Sequence, residues 1–322
     1  MNWLNPGDIN DLRRMAQRRG WAFLRARLRL QARDRIQQTW EHMEHGAHWW
    51  TVPAVRRRWN EKATGDPELH YSQYVVDQYF EGKTGLRMLS PGCGTATPER
   101  RFAATGAFAR IDAFDISENL VSQANATSQE EGLGDIVHAF AADVHNYELE
   151  ANSYDIVLFH SSLHHFDNLE GIIARVKSAL KPGGLLVINE YVGPDRLQFT
   201  AAQIQEINRL LAAMPESLRK RWPDGDVKKR AWPPGLWRMI ASDPSEAVRS
   251  SEIPALLKNE FNMQEERWLG GDLLHLLLKD IGHHFQSEAA EVTHWQKVLF
   301  DAEDAFIKKR GAADFLFGVY KI

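Results

Sequence analysis

Leu86-Arg87-Met88-Leu89-Ser90-Pro91-Gly92-Cys93-Gly94-Thr95-Ala96-Thr97 is a short apolar run that closes in a turn of small residues. Pro98-Glu99-Arg100-Arg101-Phe102 follows at helical spacing. A strand that ends in Gly-x-Gly and runs into a helix brings backbone N–H groups up to a ligand. A side chain at Gly92 or Gly94 would hold that ligand off. A dinucleotide fingerprint requires a third glycine where this chain has Thr97, so that motif is not matched.

Two acidic residues downstream point to a different nucleoside. Asp115 ends the run Ile111-Asp112-Ala113-Phe114, about twenty residues after the glycines, where a second strand tip can accept hydrogen bonds from ribose hydroxyls. Asp143 ends His138-Ala139-Phe140-Ala141-Ala142, and a third strand tip there can accept from an adenine amino group. Tyr154-Asp155-Ile156-Val157-Leu158-Phe159-His160 then has the pattern of a buried strand. Ala179-Leu180-Lys181-Pro182-Gly183-Gly184 stops a helix before the next strand, Leu185-Leu186-Val187-Ile188.

In this order, Gly-Cys-Gly-Thr-Ala, Asp115, Asp143, the strand into Leu163-His164-His165-Phe166, and Leu-Lys-Pro-Gly-Gly resemble class I S-adenosylmethionine-dependent methyltransferases. The resemblance covers residues 84 to 192, with a tail at the C-terminus. It implies an α/β fold, a doubly wound, seven-stranded, mostly parallel sheet with a Rossmann-like core. Its last strand, Asp314 to Tyr320, would slip antiparallel between strands five and six, and Phe261 to Trp268 would be strand six. It also implies S-adenosylmethionine as cofactor and S-adenosylhomocysteine as product. The cofactor would lie against Pro91, Gly92, Cys93, Gly94, Asp115, Ile116, Ala142, Asp143, Val144 and His160. Two positions depart from the family. Ser90 stands where many members carry an acid facing the amino-acid end of the cofactor. Ala96 replaces the usual third glycine, a change that costs little if its φ is negative.

Four segments are expected along the chain: a helical region over 1–60, the cofactor-binding core over 61–193, a helical cap over 194–260, and completion of the core sheet over 261–322. The cap follows from Gln203 to Leu211, an amphipathic run, and from the breaks at Pro215, Pro223, Pro233 and Pro234. Residues 272 to 309 have the pattern of two helices.

Composition narrows the function. Of 322 residues, 43% are hydrophobic and 25% charged, an ordinary globular balance. The net charge of −4 makes no electrostatic case for nucleic acid. The single cysteine, Cys93, excludes a disulfide framework and a two-cysteine mechanism. No apolar leader and no run of membrane-spanning length is present, so a cytoplasmic location is expected. Nine arginines fall within residues 1–40, and Trp21, Leu24, Leu28, Ala32 and Ile36 form one apolar stripe beside a basic stripe of Arg25, Arg29 and Arg33. Such a helix either packs on the main domain or grips an anionic partner. His42, His45 and His48 share helical spacing, but Gly46 interrupts it, and no metal site is expected.

Methyl transfer is an in-line displacement in which alignment of the reactants supplies much of the rate. A base is needed when the acceptor is a hydroxyl. His164, His165 and Glu190 are the candidate catalytic residues at strand tips, histidine having a suitable pKa. The expected activity is methylation of a small-molecule or saccharide-like acceptor at oxygen. The alternatives are an RNA or protein methyltransferase using the basic helix, and a cofactor-binding protein with a non-methylating or regulatory role. A homodimer is compatible with all three.

Overall fold

The structure, a computed structural model, describes residues 3–28 and 48–322, with side chains for 3–17 and 48–322. The stripes expected between Trp21 and Ile36, together with His42 and His45, lie outside the described side chains. The chain divides into two compact units, one of Met1–Trp59, Gly193–Val248 and Trp268–Phe315, the other of Asn60–Val192, Arg249–Arg267 and Leu316–Ile322. No helix among the described residues is long and apolar enough to cross a membrane.

Helices α1 (Pro6–Leu28) and α2 (Pro53–Thr64) precede α3 (Tyr71–Tyr79), which starts where the His70 ring accepts from the Ser72 N–H. The alternation then begins: β1 (Leu86–Pro91), α4 (Thr97–Ala103), β2 (Phe108–Asp115), α5 (Glu118–Glu130), β3 (Val137–Ala141), β4 (Tyr154–His160), α6 (Leu169–Ala179) and β5 (Leu180–Tyr191). Side-chain caps mark the starts of two of these helices. Ser117 accepts from Leu120 N at α5, and Asn168 accepts from Gly171 N at α6. Beyond lie α7 (Ala201–Ala213), opened by a Thr200–Gln203 capping box, then α8 (Leu236–Ser242) and α9 (Ile253–Glu260). The chain finishes with β6 (Asn262–Gly270), α10 (Leu274–Leu278), α11 (Ala290–Arg310) and β7 (Phe315–Lys321).

The seven strands form one sheet in the order β3-β2-β1-β4-β5-β7-β6. β1 pairs in parallel with both β2 and β4, so Met88 lies opposite Ile111 on one side and Ile156 on the other. Buried on both faces, β1 and β4 hold Met88, Leu89, Ile156, Val157 and Leu158 fully out of water. Strand order reverses between β1 and β4, and the crevice at their carboxyl ends is where an open α/β sheet binds ligands. The expected sixth and last strands are present within two residues, with β7 between β5 and β6 as the resemblance implied.

The two helices expected over 272 to 309 are present as α10 and α11. The first is the five-residue α10, followed by a 3₁₀ turn at Gly282–Phe285, and only α11 is long. Buried Lys228 explains the early stop. Its Nζ donates to the carbonyls of Leu276, Leu277 and Lys279 at 2.8, 2.9 and 2.6 Å, satisfying the last turn of α10.

In the same unit, Trp49 packs against Trp50, Trp59 and Phe315, with ring centroids 4.3, 5.1 and 5.2 Å away. α1 is anchored by Asp8, which accepts from Asn5 N, Gly235 N and Arg238 Nε. Arg14 meets Asp11 and Asp280. Glu303, fully buried on α11, accepts from the N–H groups of Gly271, Leu273 and Leu274 at 3.1, 3.2 and 3.1 Å, holding the start of α10. Glu303→Ala strips three buried donors of their acceptor at once, so the chain should lose at least about 3 kcal/mol of stability. Urea unfolding measures this, and a loss under about 1 kcal/mol would deny Glu303 that role.

Candidate active site

The glycine turn is more constrained than its sequence suggests. Gly92 has φ +73°, and a Cβ there would lie 2.8 Å from Ser162 Cβ in the loop after β4. Gly94 has φ +53° with open space on the side a Cβ would occupy. The N–H groups expected to face a ligand are largely spent within the protein. Gly92 N and Cys93 N donate to Phe114 O at 2.7 and 3.1 Å, Ala96 N donates to Cys93 O, and Gly94 N donates to the Asp115 carboxylate. The reason is the tight seating of the turn on the tip of β2. Ala96 has φ +53° and ψ +37°, left-handed backbone, so its replacement of glycine is not the inexpensive one expected for a negative φ. Cys93 is buried, and burial pushes its thiol pKa well up, which leaves it inert packing rather than a nucleophile.

Carboxylates take over where N–H groups are spent. Asp115, at the end of β2, accepts from Gly94 N at 3.0 Å and from Ser117 N at 2.9 Å. Burial raises its pKa, opposed by these backbone donors. Ile116 follows it directly, and Ala142 N donates to Asp115 O, so the tips of β2 and β3 are joined. Asp143, flanked by Ala142 and Val144, accepts from His145 N at 3.0 Å. Asp115 and Asp143 thus stand at neighbouring strand ends, Pro91 to Gly94 at the next.

Sequence reading passed over Glu99. It lies on the first turn of α4, 1% exposed, and its Oε1 accepts from the Ser90 hydroxyl at 2.5 Å. Burial raises its pKa to about 7. The signal available in the sequence was an acid one helical turn beyond the glycines, opposite a strand residue with no charge of its own.

At β4 the structure brings His160 against Tyr71 of α3, with Nδ1 2.9 Å from the phenol oxygen and the rings nearly parallel. Burial, with Arg101 adding to it, lowers His160 to about 4, so the ring is neutral. The loop after β4 is held by Glu190, fully buried at the end of β5. Its Oε1 accepts from Ser162 N and Leu163 N at 2.6 and 2.8 Å, and its Oε2 accepts from His164 Nδ1 at 2.6 Å. Burial alone would raise the Glu190 pKa, but His164 and the two N–H groups hold it below the ordinary carboxylate value. His165 packs on His164 with ring centroids 4.3 Å apart. The three candidate catalytic residues are therefore one cluster, at the carboxyl ends of β4 and β5.

Acids at Asp115, Asp143 and Glu99 suit hydroxyl and amino donors and positive charge. This donor set fits a sulfonium nucleoside. Residues 89–188 match the family model of a methyltransferase domain. Over 114 residues the chain is 31% identical to a sterol 24-C-methyltransferase of Gibberella zeae, covering 35% of this chain and 30% of that one. Over 135 residues it is 28% identical to a 27-O-demethylrifamycin SV methyltransferase of Amycolatopsis mediterranei, covering 41% and 49%. The chain thus spans a third to a half of the length of these relatives. In fold it is similar to a geranyl diphosphate methyltransferase solved with GPP and sinefungin, at TM-score 0.52 and 14% identity over 90% of this chain and 98% of that one. Residues 89–188 are a methyltransferase domain of the class I S-adenosylmethionine-dependent type, and S-adenosylmethionine is the cofactor of that class.

Two outcomes follow from this geometry. Ala96→Gly relieves left-handed strain and should stabilise the chain by about 1 kcal/mol in urea unfolding, and an unchanged midpoint contradicts that strain. Glu99 has a raised pKa in the folded chain, so the stability tied to its neutral form is complete below about pH 4.5 and is lost as pH rises to about 7. Stability of the ligand-free chain should fall across that window, and Glu99→Gln should flatten the Glu99 share of the fall. A variant that retains the full slope removes Glu99 from the cause.

Proposed function

We propose that this chain transfers a methyl group from S-adenosylmethionine to a hydroxyl of a small-molecule acceptor. The observation that carries this reading is the His164–Glu190 pair, buried at the ends of β4 and β5 on the carboxyl edge of the sheet that also holds the glycine turn and Asp115. When bound, S-adenosylmethionine supplies an electrophilic methyl whose sulfur leaves neutral, so the protein's work is alignment and the handling of one proton. Asp115 would accept from the ribose hydroxyls and Asp143 from the adenine amino group, while Pro91 to Gly94, Ile116, Ala142, Val144 and His160 would wall the nucleoside. With the cofactor bound, the acceptor oxygen would take the methyl carbon and the carbon–sulfur electron pair would stay with sulfur.

The acceptor proton goes to His164. The bond between its Nδ1 and Glu190 keeps the ring in one orientation. Glu190 acts as a positioning residue, because its two oxygens already accept from Ser162 N, Leu163 N and His164. His165 lines the same loop beside it. Support for a small acceptor comes from the relatives, which are named for a sterol and a rifamycin.

His164→Asn keeps a donor for Glu190 but cannot take a proton. It should lower kcat by about 10²–10⁴-fold with little change in S-adenosylmethionine affinity, as read from S-adenosylhomocysteine formation over a panel of hydroxylated acceptors. An unchanged kcat, or transfer confined to carbon or nitrogen, removes the hydroxyl reading. Asp115→Ala should weaken S-adenosylmethionine binding by about tenfold or more in calorimetric titration. Equal affinity in variant and wild type would deny the ribose contact.

A further inference from the structure

The reaction above leaves the Ser90–Glu99 pair without a task. Glu99 Oε1 takes the Ser90 hydroxyl, but Oε2 is buried and meets no hydrogen-bond donor among the described residues. Few groups could balance its charge. Cys93 of the turn, Tyr71 of α3 and Asp115 of β2 surround it, and none is a cation. Arg100, on its own helix, partly offsets that charge, but its guanidinium hydrogen-bonds to Glu131 and to Thr95 O rather than to Glu99. A half-satisfied carboxylate away from water costs stability unless a donor arrives to complete it.

Position identifies that donor. The strand order β3-β2-β1-β4 places Asp143, then Asp115, then the glycine turn along the crevice. Ser90 is on β1 between its partner Ala113 of β2 and Leu158 of β4, whose carbonyl oxygen lies 3.4 Å from its hydroxyl, so the pair reaches the β4 side of the crevice. Adenine and ribose are assigned to Asp143 and Asp115, which leaves the amino-acid end of the cofactor on the β4 side. That end carries an α-ammonium, a cation with three donors. Resting on the function proposed above, we infer that Glu99, oriented by the Ser90 hydroxyl, receives the α-ammonium of the cofactor's amino-acid moiety on its open oxygen. The acid of this subsite is thereby carried by a helix rather than by the strand.

Two ligands separate this role from a structural one. S-adenosylhomocysteine carries the ammonium, and 5′-methylthioadenosine has the same nucleoside and thioether without it. Calorimetric titration of both into wild type and Glu99→Gln should show S-adenosylhomocysteine weakened by about tenfold or more and 5′-methylthioadenosine changed by less than about twofold. Equal loss of both ligands, or loss of neither, overturns the inference. Binding of neither ligand by the wild type overturns the cofactor reading itself, a result distinct from the other two.

The wild type provides a second test that needs no variant. Burial holds Glu99 near pH 7, and an ammonium partner pulls its pKa down, so binding at about pH 6 should release a proton. Heats measured in buffers of different ionisation enthalpy should show that release with S-adenosylhomocysteine and not with 5′-methylthioadenosine. The same proton count for both ligands contradicts the assignment.

Discussion

The carboxylate of Glu190 is the tie on which the site depends. One fully buried side chain at the end of β5 collects two backbone N–H groups and a histidine from the loop after β4. That loop in turn reaches back to β1, where Ser162 Oγ donates to Pro91 O at 2.9 Å. The close approach explains why position 92 has room for nothing larger than glycine. Three strand tips are thus locked by one buried charge and one hydroxyl. Such a charge is tolerated because its partners are complete, and removing one of them would leave an expensive remainder.

Around this frame the site is acidic where phosphate-binding folds are rich in free N–H groups. The turn spends its donors on Phe114 O and Asp115, and what it offers outward is the carboxylate set itself. On the proposed reading, carboxylates at Asp115 and Asp143 suit hydroxyls and amines, and the Glu99 carboxyl suits positive charge. The orphaned oxygen of Glu99 is a local cost of the kind that binding sites carry and folding alone does not explain.

Much of this was legible in the residues. The strand–turn–helix around Gly92, the acid ending β2, the acid following β3, and the Lys-Pro-Gly-Gly turn before Leu185 follow from local patterning, while the sheet topology came from the family resemblance that their order carries. Glu190 and His164 were readable as strand-tip groups, but their pairing was not, because it joins residues 26 apart across two strands. Glu99 escaped notice because its burial depends on how α4 settles against β1. The left-handed backbone of Ala96 is likewise set by the fold and contradicts the preference of its own side chain. The early end of α10 could not be read from its leucines, since the cap is Lys228, some fifty residues away.

The most direct test is a crystal structure of the chain with S-adenosylhomocysteine. The account predicts the nucleoside in the crevice between the ends of β1 and β4, its ribose hydroxyls on Asp115 and its ammonium beside Glu99. A nucleoside bound elsewhere, or one in this crevice with its ribose turned away from Asp115, would contradict the account at its centre.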